Sequence, residues 1–462
     1  MFKFTCAALT KTGKKPVNRD NYMVGNLYVP QDHADLRNNA QGKTEQPFFV
    51  AAADGMGDEA SGEKVSAETA EVGNKGNGSN DSNDNENPKR YQKKVIIAVI
   101  CALLLVIGIL VCILSKTSKK QLNFHDAAFE KAIREALNLA DDEMLTTDIL
   151  RIKELDLSEK RLSDISDIAS FKKLTTLNIS GNEISDISAL KNLTNLTELD
   201  WSYNKIGVIN DEHVSLLRSL KNLQVLNLGC NNISDISALG SLTNLQVLDL
   251  SSNNISDISA LENITNLQTL NLSSNNINDI SALKNLTNLT ELDWSYNKIG
   301  VINDEHVSLL RSLKNLQTLV MSSNEISNIS ALGNLTNLRS LGLSGNNISN
   351  ISALGNLTNL WSLSLSENSI IYINTLNKLT DLQSLRLRFN NIGDISALTN
   401  LTNLWLLDLS GNDISDVGAL ENLSGLLLLY LDNNNLTKQK VEELCLKLPQ
   451  AQIQSEWVDN DD

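Results

Sequence analysis

LQVLDLSSNNISDISALENITN, residues 245–266, is one copy of a unit that recurs from Ile152 onward. Units begin at Ile152, Leu174, Leu196, Leu223, Leu245, Leu267, Leu289, Leu316, Leu338, Leu360, Leu382, Leu404 and Leu426, 22 residues apart except after Leu196 and Leu289, where the step is 27. Each copy follows L-x-x-L-x-L-x-x-N-x-I. The alternation in L-D-L predicts a short strand with leucines inward and the residues between them outward. An Asn recurs at the ninth place, from Asn182 and Asn204 to Asn412 and Asn434. Its amide can donate and accept toward backbone groups where the chain leaves the strand, so stacked copies would form a ladder. The following I-x-D-I-x-x-L returns apolar residues inward from a short helical turn.

No unit can bury its leucines alone, so stacking supplies the core. The period and motif are those of a leucine-rich repeat. The expected fold is an α/β solenoid, a horseshoe or rod with a parallel sheet on the concave face and short helical turns on the convex one. Thirteen strands at about 4.8 Å each give a rod roughly 60 Å long. Caps are expected at both ends. FHDAAFEKAIREALNL spaces Phe129, Ala132, Ile133, Ala136 and Leu137 as one face of an amphipathic helix. LTKQKVEELCLKLPQAQI gives a second, with Val441, Leu444, Cys445 and Leu448 on one side.

The 22-residue step, the repeated NISDISALxNLTNL motif and the helical N-terminal cap resemble the internalin type of leucine-rich-repeat protein, over about residues 122–455. That resemblance implies a bacterial rod outside the cell that binds a protein partner through its concave face. The sequence departs from the family in having no cleaved signal and no L-P-x-T-G anchor, so attachment would fall to an internal segment.

Asp186–Gln224 and Asp279–Gln317 are identical, offset by four whole repeats. Each copy carries the insert VINDEHVSLLRSLKN, which predicts a longer helix N-capped by Asp211 or Asp304. His213 and His306 are expected on an exposed face of that helix without metal-binding partners. Outward residues occupy the third and fifth places of each unit, with the seventh and eighth beside them. There Glu198, Asp200 and Tyr203 repeat as Glu291, Asp293 and Tyr296, two acidic-aromatic candidate contact patches. Arg386, Arg388 and Phe389 with Leu406, Asp408 and Tyr430 form a third, a local positive spot suited to an acidic partner. Trp201 and Trp294 stand in leucine places and are expected in the core.

Ahead of the repeats, VIIAVICALLLVIGILVCIL (95–114) holds twenty residues without a charge, enough to span about 30 Å of hydrocarbon. A single transmembrane helix is expected there. Four basic residues precede it, Lys89, Arg90, Lys93 and Lys94, and three follow it, Lys116, Lys119 and Lys120. The excess favours a cytoplasmic N-terminus and extracellular repeats. Residues 73–94 read as a flexible polar linker and basic flank, 115–151 as juxtamembrane chain and N-terminal cap, 152–436 as repeats, and 437–462 as C-terminal cap and acidic tail. Residues 1–72 contain VNRDNYMV and FFVAAADGMGDEASG. These resemble the start of a type 2C metal-dependent serine/threonine phosphatase, a family in which such motifs hold two divalent metals that activate water. The resemblance makes Asp20, Asp54 and the Gly55 carbonyl metal ligands, but it stops near Val72, short of the family's remaining ligands. The segment therefore reads as a truncated, vestigial remnant, with Mn or Mg relevant only if it is functional.

With 39 basic and 55 acidic residues the chain carries −16, which excludes the clustered positive charge of a nucleic-acid binder. Five scattered Cys exclude a disulfide framework, and no C-x-x-C or His pair has zinc spacing. The function expected is membrane-anchored recognition of a protein or other macromolecule, without catalysis and without a cofactor. The alternative is a phosphatase-related receptor with an N-terminal catalytic or pseudo-catalytic segment.

Overall fold

The computed structural model describes residues 2–6, 121–204, 206–299 and 304–457. The candidate metal ligands Asp20, Asp54 and Gly55, the linker and the apolar run at 95–114 lie outside these. Among the described residues no helix is long and apolar enough to cross a membrane.

Among the described residues one sheet holds all the strands. β1 (Phe2–Cys6) comes from the N-terminal segment. The repeats then supply three residues each: β2 (Glu154–Asp156), β3 (Thr176–Asn178), β4 (Glu198–Asp200), β5 (Val225–Asn227), β6 (Val247–Asp249), β7 (Thr269–Asn271) and β8 (Glu291–Asp293). They continue as β9 (Thr318–Val320), β10 (Ser340–Gly342), β11 (Ser362–Ser364), β12 (Ser384–Arg386), β13 (Leu406–Asp408) and β14 (Leu428–Tyr430), with β15 (Gln452–Trp457) after the last unit. β2 to β15 pair in sequence order, all parallel, and β1 closes the far edge antiparallel to β15. Register is kept at every step, so Leu248 lies against Leu226 on one side and Leu270 on the other.

The core follows the spacing. In the unit from Leu245 the residues Leu248, Leu250, Ile255, Ile258, Leu261 and Ile264 are all buried. Return turns are 3-10 in form. In most of them the first N–H is taken by the Asp two residues earlier, as Ser259 N donates to Asp257 Oδ1 at 2.8 Å, and Asn328 and Asn350 serve two others in the same way. The bond from Ser259 holds the Asp257 carboxyl below its ordinary pKa. The Asn ladder is present as expected. Asn253 Nδ2 donates to the carbonyls of Leu228, Leu250 and Ser251, and its Oδ1 accepts from the N–H of Asn231 and Ile233.

Both caps form. α1 (Ala127–Ala136) starts where Asp126 accepts from Ala128 N, and it buries Phe129, Ala132 and Ile133 against Phe171 of the first unit. α2 (Asp211–Ser219) and α3 (Asp304–Ser312) are the helices of the two inserts. α2 corrects the expected cap: Asn210, not Asp211, stands at the N-cap, and its Oδ1 accepts from Glu212 and His213. Asn and Asp cap about equally well, so two adjacent candidates leave the choice to the path of the chain. α4 (Lys438–Lys447) buries Val441 and Leu444 and is shorter than expected, because the chain turns at Pro449 and re-enters the sheet as β15.

Candidate functional site

The sheet face presents the third and fifth places of every unit, and its chemistry changes at β9. Strands β2, β4 and β8 each read Glu-Leu-Asp, and β6 adds Asp249. From β9 onward Val320, Gly342, Ser364, Arg386, Asp408 and Tyr430 occupy the fifth place. The eighth place is left-handed in every unit, with φ from 52° at Phe389 to 67° at Gly411. Bulky side chains are disfavoured there. Tyr203, Tyr296 and Phe389 nevertheless occupy it, each with its ring exposed.

In the second half Arg386, Asp408 and Tyr430 are successive register partners across β12, β13 and β14. Arg386 Nη1 donates to Ser384 Oγ at 3.4 Å. Burial works against its charge, while the field of Asp408 favours it. Burial and Asp408 together raise the Tyr430 hydroxyl pKa. Among the described residues neither Arg386 nor Arg388 reaches ion-pair distance of a carboxylate. The Arg388 guanidinium instead stacks over its neighbour Phe389, 4.3 Å from Cζ to the ring centroid. Phe389 leans onto the next unit at Gly411, where a Cβ would lie 2.2 Å from its Cδ1.

Leu406 departs from expectation. At 7% exposure it packs rather than presents itself. Three residues were missing from the expected set: Trp361 and Trp405, half-buried, and the exposed Leu427, all at the second place of their units. Their main chains are rungs of one ladder, with Gln383 N bonding Trp361 O, Trp405 N bonding Gln383 O and Leu427 N bonding Trp405 O. Elsewhere the second place is Lys, Thr, Gln or Arg, so two of the chain's five Trp falling there was the available signal.

In the first half the fifth-place Asp and Asn side chains do structural duty. Asp200 Oδ1 accepts from Ser202 N at 3.0 Å, and Asp293 Oδ1 from Ser295 N at 2.8 Å. Asp408 does the same for Ser410 N. The remaining oxygen is shared along the row: Asn227 donates to Asp200 Oδ2 and Asn271 to Asp249 Oδ2. Val320 follows Asp293 and can donate nothing from its side chain. Desolvation raises the carboxyls of Glu198, Asp249 and Glu291, and pushes Asp293 up to about 6. The Tyr203 hydroxyl is pushed up to about 12, chiefly by its bond with the Cys230 thiol.

A raised carboxyl contributes stability below its ordinary pKa and loses it as pH rises through the folded value. Asp293→Asn, which installs the residue the row already carries at Asn227 and Asn271, should therefore stabilise the repeats at pH 7. The gain is about 2–3 kcal/mol by linkage and should vanish near pH 4. Equal melting curves for the two proteins at pH 7 would contradict the assignment.

Trp201 and Trp294 are fully buried, as expected. The histidines are not free on the surface. His213 Nε2 lies 2.9 Å from Ser185 O, its Nδ1 accepts from Asn210 N, and its ring meets Trp201 edge-on. His306 is buried. Among the described residues no His, Cys, Asp and Glu cluster could hold a metal ion. A shallow cleft of about 530 Å³ runs along the second-place edge between Lys221 and Asn288. Amides form most of its walls, unlike the enclosed apolar pockets that hold small molecules. The open face suits a macromolecule.

Comparison with protein families matches the description Leucine Rich repeats (2 copies) over overlapping segments of residues 151–285 and over 314–356. Leucine Rich repeat matches at 378–398 and 400–421. Among solved structures, an internalin (InlF) of Listeria monocytogenes is 33% identical, with 73% of this chain and 92% of that one covered and a TM-score of 0.54. A leucine-rich-repeat protein of Leptospira interrogans is 25% identical, covering 66% of this chain and 97% of that one at a TM-score of 0.51. No curated protein matches the chain.

Proposed function

The chain belongs to the internalin type of leucine-rich-repeat proteins, and on that premise we propose that it recognises a protein through the second half of its sheet face. The observation that carries this reading is the group Trp361, Arg388, Phe389, Trp405, Leu427 and Tyr430 on strands β11 to β14 and their edges. Trp, Tyr and Arg are the residues that most often anchor interfaces. No catalytic step is assigned to the repeats. Immobilised full-length chain should retain a discrete protein from a surface-protein extract, released by soluble chain in excess. Retention of nothing above a bare matrix would remove the proposal.

The chain is further proposed to be anchored by residues 95–114, with the repeats outside the cell. The charge bias and apolar run support this, while one observation opposes it. β1 pairs with β15, and a single span between them would place the two on opposite sides of the bilayer. Protease added to intact cells should digest the repeats and spare residues 1–90, which would also mean that β1 leaves the sheet in the anchored chain. Digestion of both segments would exclude the crossing.

A further inference from the structure

The first half of the sheet face presents one Glu-Asp-Tyr set twice, with Asp200 Oδ2 taken by Asn227 in the first copy and Val320 standing beside Asp293 in the second. β4 with Tyr203 and β8 with Tyr296 belong to the identical 39-residue copies, and four strand steps separate them, about 19 Å at 4.8 Å per step. In each copy a Glu at the third place, an Asp at the fifth and an exposed Tyr at the eighth lie within one unit. Between the copies Asp249 is the only further charge at a third or fifth place, and no Lys or Arg stands at those places from β2 to β9. Each copy also has a lysine at the tenth place, Lys205 or Lys298, and Lys298 is exposed beyond the turn that follows Tyr296.

We infer that β4–Tyr203 and β8–Tyr296 are paired subsites for a protein segment carrying two basic clusters, one guanidinium or ammonium group set seated on each Tyr between its Glu and Asp. Charge complementarity selects the occupant. A cation meets carboxylates from two strand positions and the face of an aromatic ring, the combination that favours ammonium and guanidinium groups. Desolvation works against the charge of Glu198, Glu291 and Asp293, and an incoming cation relieves that opposition. Exact duplication preserves both side-chain set and register, so one rigid partner segment can meet both subsites at once. An extended segment spans the interval in about six residues. Simultaneous engagement converts the second contact into an intramolecular one and multiplies affinity without new contacts. This deepens the recognition reading by naming a partner chemistry, and it uses a different part of the face from the Trp and Arg group.

The test uses full-length chain and three synthetic peptides of Gly, Ser, Thr and Arg. The first has two Arg-Arg pairs six residues apart, the second the same composition with the pairs adjacent, and the third a single pair. The separated-pair peptide should bind at least about tenfold more tightly than the other two. Tyr296→Ala or Asp293→Asn, the latter in a chain expected to be more stable, should each reduce it to the single-pair level, and so should Tyr203→Ala. Trp405→Ala should leave it unchanged, which separates this result from any failure of the second-half site. Equal binding of separated and adjacent pairs, or indifference to the Tyr and Asp substitutions, would reduce the effect to diffuse attraction between a polycation and an acidic chain and overturn the proposal.

Discussion

Asn253→Ala should destabilise the repeats by roughly 3–5 kcal/mol. The side chain makes five hydrogen bonds, three donated to the carbonyls of Leu228, Leu250 and Ser251 and two accepted from Asn231 and Ile233. All the groups it serves lie at the buried turn out of the strand. Truncation leaves the N–H groups of Asn231 and Ile233 without partners, each stranded buried group costing about 1–3 kcal/mol, and it removes one of the two bonds accepted by each of the carbonyls of Leu228, Leu250 and Ser251. The adjacent Asn254 is exposed, and its replacement by Ala should be nearly neutral. Thermal or urea melts of the two variants separate the outcomes. A small effect at Asn253 would mean that the ladder follows the repeat without holding it.

Phe389→Ala combined with Trp405→Ala should weaken partner capture at least about thirtyfold, or 2 kcal/mol, while costing the fold only about 1–2 kcal/mol. Both rings lie on or beside the sheet face, and neither is part of the contiguous leucine core. Removing Phe389 also leaves the Arg388 guanidinium without the ring it stacks on, so the local positive spot loses its orientation. The control is Tyr372→Ala. Its ring is 75% exposed at the thirteenth place, away from the strands, and capture should be unaffected. Equal losses in the control and the double variant would indicate a general apolar effect.

The repeat, its register, the Asn ladder and both helical caps were legible because each rests on spacing, and spacing survives in a linear sequence. Phe129 and Ile133 at one end and Val441 and Leu444 at the other are buried as their periodicity requires. The site was legible only in part. Asp200, Asp293 and Asp408 read as free surface carboxylates, yet each gives one oxygen to the N–H two residues on, a bond that exists only once the chain bends out of the strand. Leu406 read as outward from its place in the unit, and only three-dimensional packing shows it covered. Trp361 and Trp405 were missed because the second place was not counted as part of the face. His213 looked free because its partner Ser185 O lies one unit back, 28 residues away in sequence.

The central claim, recognition through the second half of the sheet face, is tested most directly by hydrogen–deuterium exchange of the full-length chain with and without the captured protein. Binding should slow exchange in the segments 361–365, 383–389, 405–411 and 427–433, with the 3-10 turns opposite them unchanged. Protection confined to those turns, or to α2 and α3, would contradict the account.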